Sequence, residues 1–140
     1  MRRSITTVLI AGLAAGLAGC GGPIQPDELA RSIETLESTA AEGALLAQDV
    51  ARDRSKATFV RAHARDLGDV VQHEAEKLND ADADQADVGA AKQKAVDLAD
   101  KIGTALGQIQ TSPQDESGAA SAGHELSTYS EQAGKLAEGL

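Results

Sequence analysis

Beyond position 26 the apolar residues recur at alternating intervals of three and four, and this spacing restricts the fold more than any other feature. The first run is Leu29, Ile33, Leu36, Ala40, Gly43, Ala47 and Val50. The second is Val60, Ala64, Leu67, Val71 and Leu78, with Val70 beside it. The third is Val88, Ala91, Ala95, Leu98, Ile102, Ala105 and Ile109. The fourth is Ala119, Ala122, Leu126, Tyr129, Ala133, Leu136 and Leu140. Such a spacing places each set on one stripe of an α-helix, whereas a strand face has a period of two. Ala supplies 27 of the 140 residues and strand formers are scarce. The expected fold is all-α. Four helices of about 25 residues, each about 38 Å long, bury their stripes best as an antiparallel up-down four-helix bundle.

The punctuation between the runs supports two of the three connections. Asn79-Asp80-Ala81-Asp82 is turn-prone. Ser112-Pro113-Gln114-Asp115 offers a capping Ser, a Pro at the first helical position and an acid at the third. Arg52-Asp53-Arg54-Ser55-Lys56-Ala57-Thr58 contains neither Gly nor Pro. There the chain either runs on as one rod or breaks, with Ser55 or Thr58 as the cap. The change of apolar register between Val50 and Val60 favours a break.

The core is expected to be thin. Leu, Ile, Val and Phe make up 22 of the 120 residues after Cys20, close to compositions that stay disordered. Gly118, Gly123, Gly134 and Gly139 each weaken the last helix by up to about 1 kcal/mol relative to Ala, so that helix is expected to fray first.

The N-terminus carries an address. Met1-Arg2-Arg3 is basic, Ile5 to Ala18 is uncharged and largely apolar, and small residues lead into Leu17-Ala18-Gly19-Cys20. A basic start, an apolar stretch and a small-residue cleavage site make a secretory signal. The apolar stretch of about 14 residues is short of the roughly 20 that span a bilayer. Leu17-Ala18-Gly19-Cys20 resembles the lipobox of bacterial lipoproteins, and Cys20 is the chain's one cysteine. The resemblance covers residues 1 to 20. It implies that Cys20 receives a thioether-linked diacylglycerol and that the signal is cut between Gly19 and Cys20. The implied organisation is a removed signal over 1–19, a lipidated Cys and Gly/Pro tether over 20–26, and a bundle over 27–140. The implied location is the extracytoplasmic face of the cell membrane. Loss of Arg2 and Arg3 leaves 11 of the 13 basic residues against 22 acids, so the net charge falls from -9 to -11. Anionic lipid repels such a body, and the anchor has to be Cys20.

Composition excludes several functions. An acidic chain with no Trp, one Tyr and one Phe has neither the basic face nor the stacking platforms that nucleic acid requires. A single Cys forms no internal disulfide and no Cys-based zinc cluster. Asp80-Ala-Asp82-Ala-Asp84 resembles the opening of an EF-hand loop, but Gln85 and Ala91 stand where that loop needs Gly and a bidentate Glu. His63, His73 and His124 occur in no Glu-x-x-His pair, so no di-metal bundle site is expected. They read as surface or boundary histidines. No Ser elbow or phosphate loop occurs. Neither a catalytic site, a cofactor nor a metal is expected.

Charge placement is more informative. Arg52, Arg54, Lys56, Arg61 and Arg65 fall within 14 positions around the first connection. If the first helix rises from the membrane, this connection is the far tip, and Asp80 to Asp87 lies at the near end. Cations at a helix C-terminus suit its dipole, which accounts for Arg52 and Arg54 but not for Arg61 and Arg65. The five are candidate docking residues for an anionic envelope protein. Leu45 lies nine residues from Leu36, about 180° around the helix from the stripe. Val96, Ala99, Gly103 and Leu106 widen the third stripe, as a helix touching two neighbours requires. The expected function is a binding or structural role in the cell envelope. The alternatives are an accessory or regulatory subunit docking on a membrane complex through the basic tip, and a carrier of a small ligand or metal.

Overall fold

The computed structural model describes residues 22–140. The signal segment, Gly19 and Cys20 lie outside the described residues. Four helices follow one another: α1 (Pro26–Ala51), α2 (Ala57–Asp80), α3 (Ala86–Thr111) and α4 (Glu116–Ala137). Pro26 opens α1, with Asp27 and Glu28 in the first turn, where a fixed φ and negative charge suit a helix N-terminus.

Neighbouring helices run antiparallel. Glu42 meets His63 and Ser32 meets Lys77 across α1 and α2. Gly43 lies against Leu126, and Ala47 against Gly123, across α1 and α4. The up-down bundle is therefore as expected. Its most extensive packing is between α1 and α4, then between α2 and α3, while α2 and α4 do not touch. All residues of the first three stripes are buried, as are Val96, Ala99 and Leu106 on the flank of α3. In the fourth stripe Tyr129 and Leu136 are half-buried and Leu140 is exposed beyond the helix end.

Small residues set the α1–α4 distance. A β-carbon on Gly123 would come within 3.0 Å of the Ala47 methyl, and one on Gly134 within 3.0 Å of the Glu37 carboxylate. Gly123, expected only to weaken α4, thus lets it lie close on α1, whereas the Glu37 side chain beside Gly134 is flexible enough to move aside. Gly43 is tighter still, since its β-carbon would stand 2.7 Å from a methyl of Leu106 and 3.1 Å from one of Leu126. Gly43→Ala is expected to destabilise the fold by about 1–3 kcal/mol through overpacking, despite the better helix propensity of Ala. Gly68→Ala, whose β-carbon meets nothing within 4 Å, should stabilise by up to about 1 kcal/mol. Urea unfolding of both variants checks this; shifts of the same sign would deny the close approach at Gly43.

Helices α1 and α2 are separate. Arg54 N–H donates to the Asp49 carbonyl at 2.8 Å and Asp53 N–H to the Val50 carbonyl at 2.9 Å. Asp53 has φ 49°. This is a Schellman stop, with Asp in the left-handed position that Gly usually holds. Lys56 precedes α2 without a side-chain cap, so neither Ser55 nor Thr58 has the expected role. At the last connection the cap is Asp115, whose Oδ1 accepts from Gly118 N–H at 3.0 Å. Ser112 instead closes α3, its N–H donating to the Gln108 carbonyl.

The core also takes in part of the expected tether. Ile24 is buried, and its N–H donates to the Asp82 carbonyl at 2.8 Å. The packed body therefore begins at Ile24 rather than at Asp27. This bond sets the N-terminal segment beside the α2–α3 turn. Arg52–Lys56 and the α3–α4 turn occupy the opposite end.

Candidate partner-binding end

The end remote from Ile24 carries the basic residues, and all five are exposed. Arg54 pairs with Asp49 at 2.9 Å, and Arg65 stands 3.7 Å from Asp66. Among the described residues, no carboxylate lies within 4.0 Å of Arg52, Lys56 or Arg61. Exposed pairs such as Arg54–Asp49 contribute at most about 1 kcal/mol, so these charges serve the surface more than the fold.

The five do not form one face. Arg52 ends α1 and Lys56 precedes α2, at the tip itself. Arg61 and Arg65 lie on the α3 side of α2, where Arg65 borders an open groove with Gly68 and Gly103. The other flank of α2 faces α1 and carries Phe59 and His63. His63 Nε2 is 2.9 Å from Glu42 Oε1, and the Phe59 and His63 rings stack at 5.4 Å between centroids.

Two large apolar side chains are left in solvent here: Leu45 is 62% exposed and Phe59 56%. Leu45 points outward, as its offset from the stripe predicts. Phe59, the chain's one Phe, escaped sequence reasoning because it adjoins Val60 of the stripe. Its four-residue spacing from His63, on the same flank, was the available signal.

A second polar layer lies on the α1–α2 seam toward the other end. Lys77 Nζ donates to Ser32 Oγ at 3.0 Å and stands 4.0 Å from both Glu28 and Glu74. Glu74 Oε2 is buried without a hydrogen-bond partner. Between α3 and α4 an open groove of about 380 Å³ is lined by Lys94, Leu98, Lys101, Lys135 and Leu136, with Asp97 among them.

Among the described residues, no group of three or more His, Cys, Asp or Glu side chains converges to hold a metal ion. The Asp82 carbonyl is taken by Ile24, and Asp87 Oδ1 accepts from the adjoining Val88 N–H at 2.9 Å. No described helix is long and apolar enough to cross a membrane.

No protein-family model matches the chain, and no curated protein or solved structure matches it either. A functional reading therefore rests on its own residues.

Proposed function

We propose that this chain is a non-enzymatic, lipid-anchored component of the bacterial cell envelope. On this reading it is held at the membrane by acylated Cys20 and docks an envelope protein at its far end. The observation that carries the reading is the separation of the two ends. Ile24 is fixed beside Asp82, while Arg52 and Lys56 stand at the other end of a 26-residue helix, about 39 Å away. The exposure of Leu45 and Phe59 at that end supports docking on a protein rather than a purely structural role. A carrier of an apolar ligand has less support, because the α3–α4 groove is open and rimmed by three lysines.

The test is co-purification from detergent-solubilised membranes at low and high salt. Wild type is compared with Arg52→Gln/Lys56→Gln. A bound partner should be lost from the variant, and from wild type as salt rises, because exposed charges are screened beyond about 8–10 Å. Equal recovery of every co-purifying protein in all samples would remove the docking role.

A further inference from the structure

We propose that the groove between α3 and α4 holds one anionic phospholipid, its phosphate among Lys94, Lys101 and Lys135 and an acyl chain along the foot of the groove. This goes beyond the docking role, and it rests on the proposed anchoring only for the direction from which the lipid enters. Two compartments share Lys94, Lys135 and Leu136 and so run into one another. The upper one, about 380 Å³, adds Lys101, Leu98 and Gln132. The lower one, about 390 Å³, adds Pro26, Val88, Ala91 and Leu140. Both have the volume of a small-molecule site.

Charge selects an anion. Acids outnumber bases 22 to 13 in this chain, yet the upper compartment presents three lysines and one carboxylate, Asp97. The Asp97 Oδ1 accepts from Gln93 Nε2 at 3.2 Å, and among the described residues no carboxylate lies within 4.0 Å of any of the three lysines. Asp87 lines the lower compartment, where its Oδ1 accepts from Val88 N–H at 2.9 Å. The helix dipole accounts for Lys135 in the last turn of α4. It does not account for Lys94 and Lys101, which lie two turns apart inside α3. A phosphate accepts from several ammonium and amide donors at once, which suits three lysines and Gln132.

The foot of the groove selects a chain. Val88 and Ala91 are buried in its floor, Leu136 is half-buried and Leu140 is exposed. Helix α3 begins and α4 ends at the end where Ile24 meets Asp82. The apolar foot therefore lies toward that end, with the lysines farther up. On the proposed anchoring this is the end beside the bilayer. A lipid rising from the bilayer brings its phosphate up to the lysines and trails its chains back along the foot. A free anion gains nothing from the foot, and an uncharged lipid gains nothing from the lysines. The net negative charge of the body opposes broad adsorption to anionic lipid, but contacts inside the groove act at less than the screening length of about 8–10 Å.

The test uses the full-length protein in an uncharged detergent, with native mass spectrometry counting what stays bound. Dioleoyl phosphatidylglycerol should bind as a single copy. It should do so at least about tenfold more tightly than dioleoyl phosphatidylcholine, which has the same tails, or glycerol phosphate, which has none. Lys94→Gln/Lys135→Gln should weaken phosphatidylglycerol at least about tenfold, and Leu140→Gln by a smaller factor. All three side chains sit at the surface or rim, so the thermal melt should stay close to wild type. Arg61→Gln/Arg65→Gln, which removes as much charge from α2, should change nothing.

Equal retention of phosphatidylcholine would overturn the selection by charge. Equal binding of glycerol phosphate would overturn the lipid and leave only an anion site. Phosphatidylglycerol held as well by Lys94→Gln/Lys135→Gln, or weakened as much by Arg61→Gln/Arg65→Gln, would overturn the groove. The docking role and the anchor stand or fall separately, by membrane co-purification and palmitate incorporation.

Discussion

Leu126→Ala is expected to lower the stability of the bundle by about 2–5 kcal/mol, the largest effect of any single truncation considered. Leu126 is fully buried on α4, and its methyls fill the space beside Gly43 on α1. Truncation leaves a cavity at the tightest part of the α1–α4 contact, where two rigid helices have little room to collapse. A small domain has about 5–15 kcal/mol in all, and each kcal/mol is worth roughly 4 °C at this size. A thermal melt followed by circular dichroism should therefore shift down by about 8–20 °C. Gly43→Ala/Leu126→Ala should be more stable than the sum of its parts, because the new methyl enters the vacated volume. A shift below about 4 °C would place Leu126 outside the core and break the α1–α4 assignment.

Cys20→Ser should have an all-or-none effect on processing. If the lipobox resemblance holds, the variant takes up no palmitate analogue and accumulates as a precursor that keeps residues 1–19. Two or three acyl chains hold a protein durably, whereas one binds only marginally. No described helix offers a replacement span, and the uncleaved precursor, which keeps Arg2 and Arg3, carries a net charge of -9 that opposes adsorption to anionic lipid. The packed body, which begins at Ile24, should keep its helical spectrum. Palmitate analogue still incorporated into the variant, with cleavage unchanged, would refute the anchor.

The bundle was legible in the sequence because a buried stripe leaves a periodic trace. Leu29 to Val50, Val60 to Leu78 and Val88 to Ile109 could be assigned from spacing alone. Features that depend on one backbone angle or on a distant partner left no such trace. Asp53 takes a left-handed conformation normally marked by Gly, so the end of α1 was ambiguous. Ser112 and Asp115 are both good caps, and spacing does not choose between them. Ile24 looked like tether because its partners, the Asp82 carbonyl and the core, come from far along the chain.

The candidate site divides in the same way. Leu45 was conspicuous because it broke the period. The neighbourhood of Arg52 and Lys56 was visible as charge density in the sequence. Sequence density grouped Arg61 and Arg65 with them, whereas the helical turn sends those two to the other flank. The Glu42–His63 contact joins residues 21 positions apart on two helices, and only the folded bundle brings them together.

The hydrogen bond from Ile24 to Asp82 has a consequence for how far the other end of the bundle can reach. On the proposed anchoring at Cys20, Gly21, Gly22 and Pro23 alone separate the anchor from Ile24, where the packed body begins. Leash and helix together then confine the far end to a half-sphere of about 50 Å radius. One molecule in that volume corresponds to an effective concentration in the millimolar range. A partner meets that concentration only while it lies within this volume, and its occupancy otherwise follows its density in the membrane. On the proposed anchoring, so short a reach would restrict the far end to partners lying within about 50 Å of the anchor.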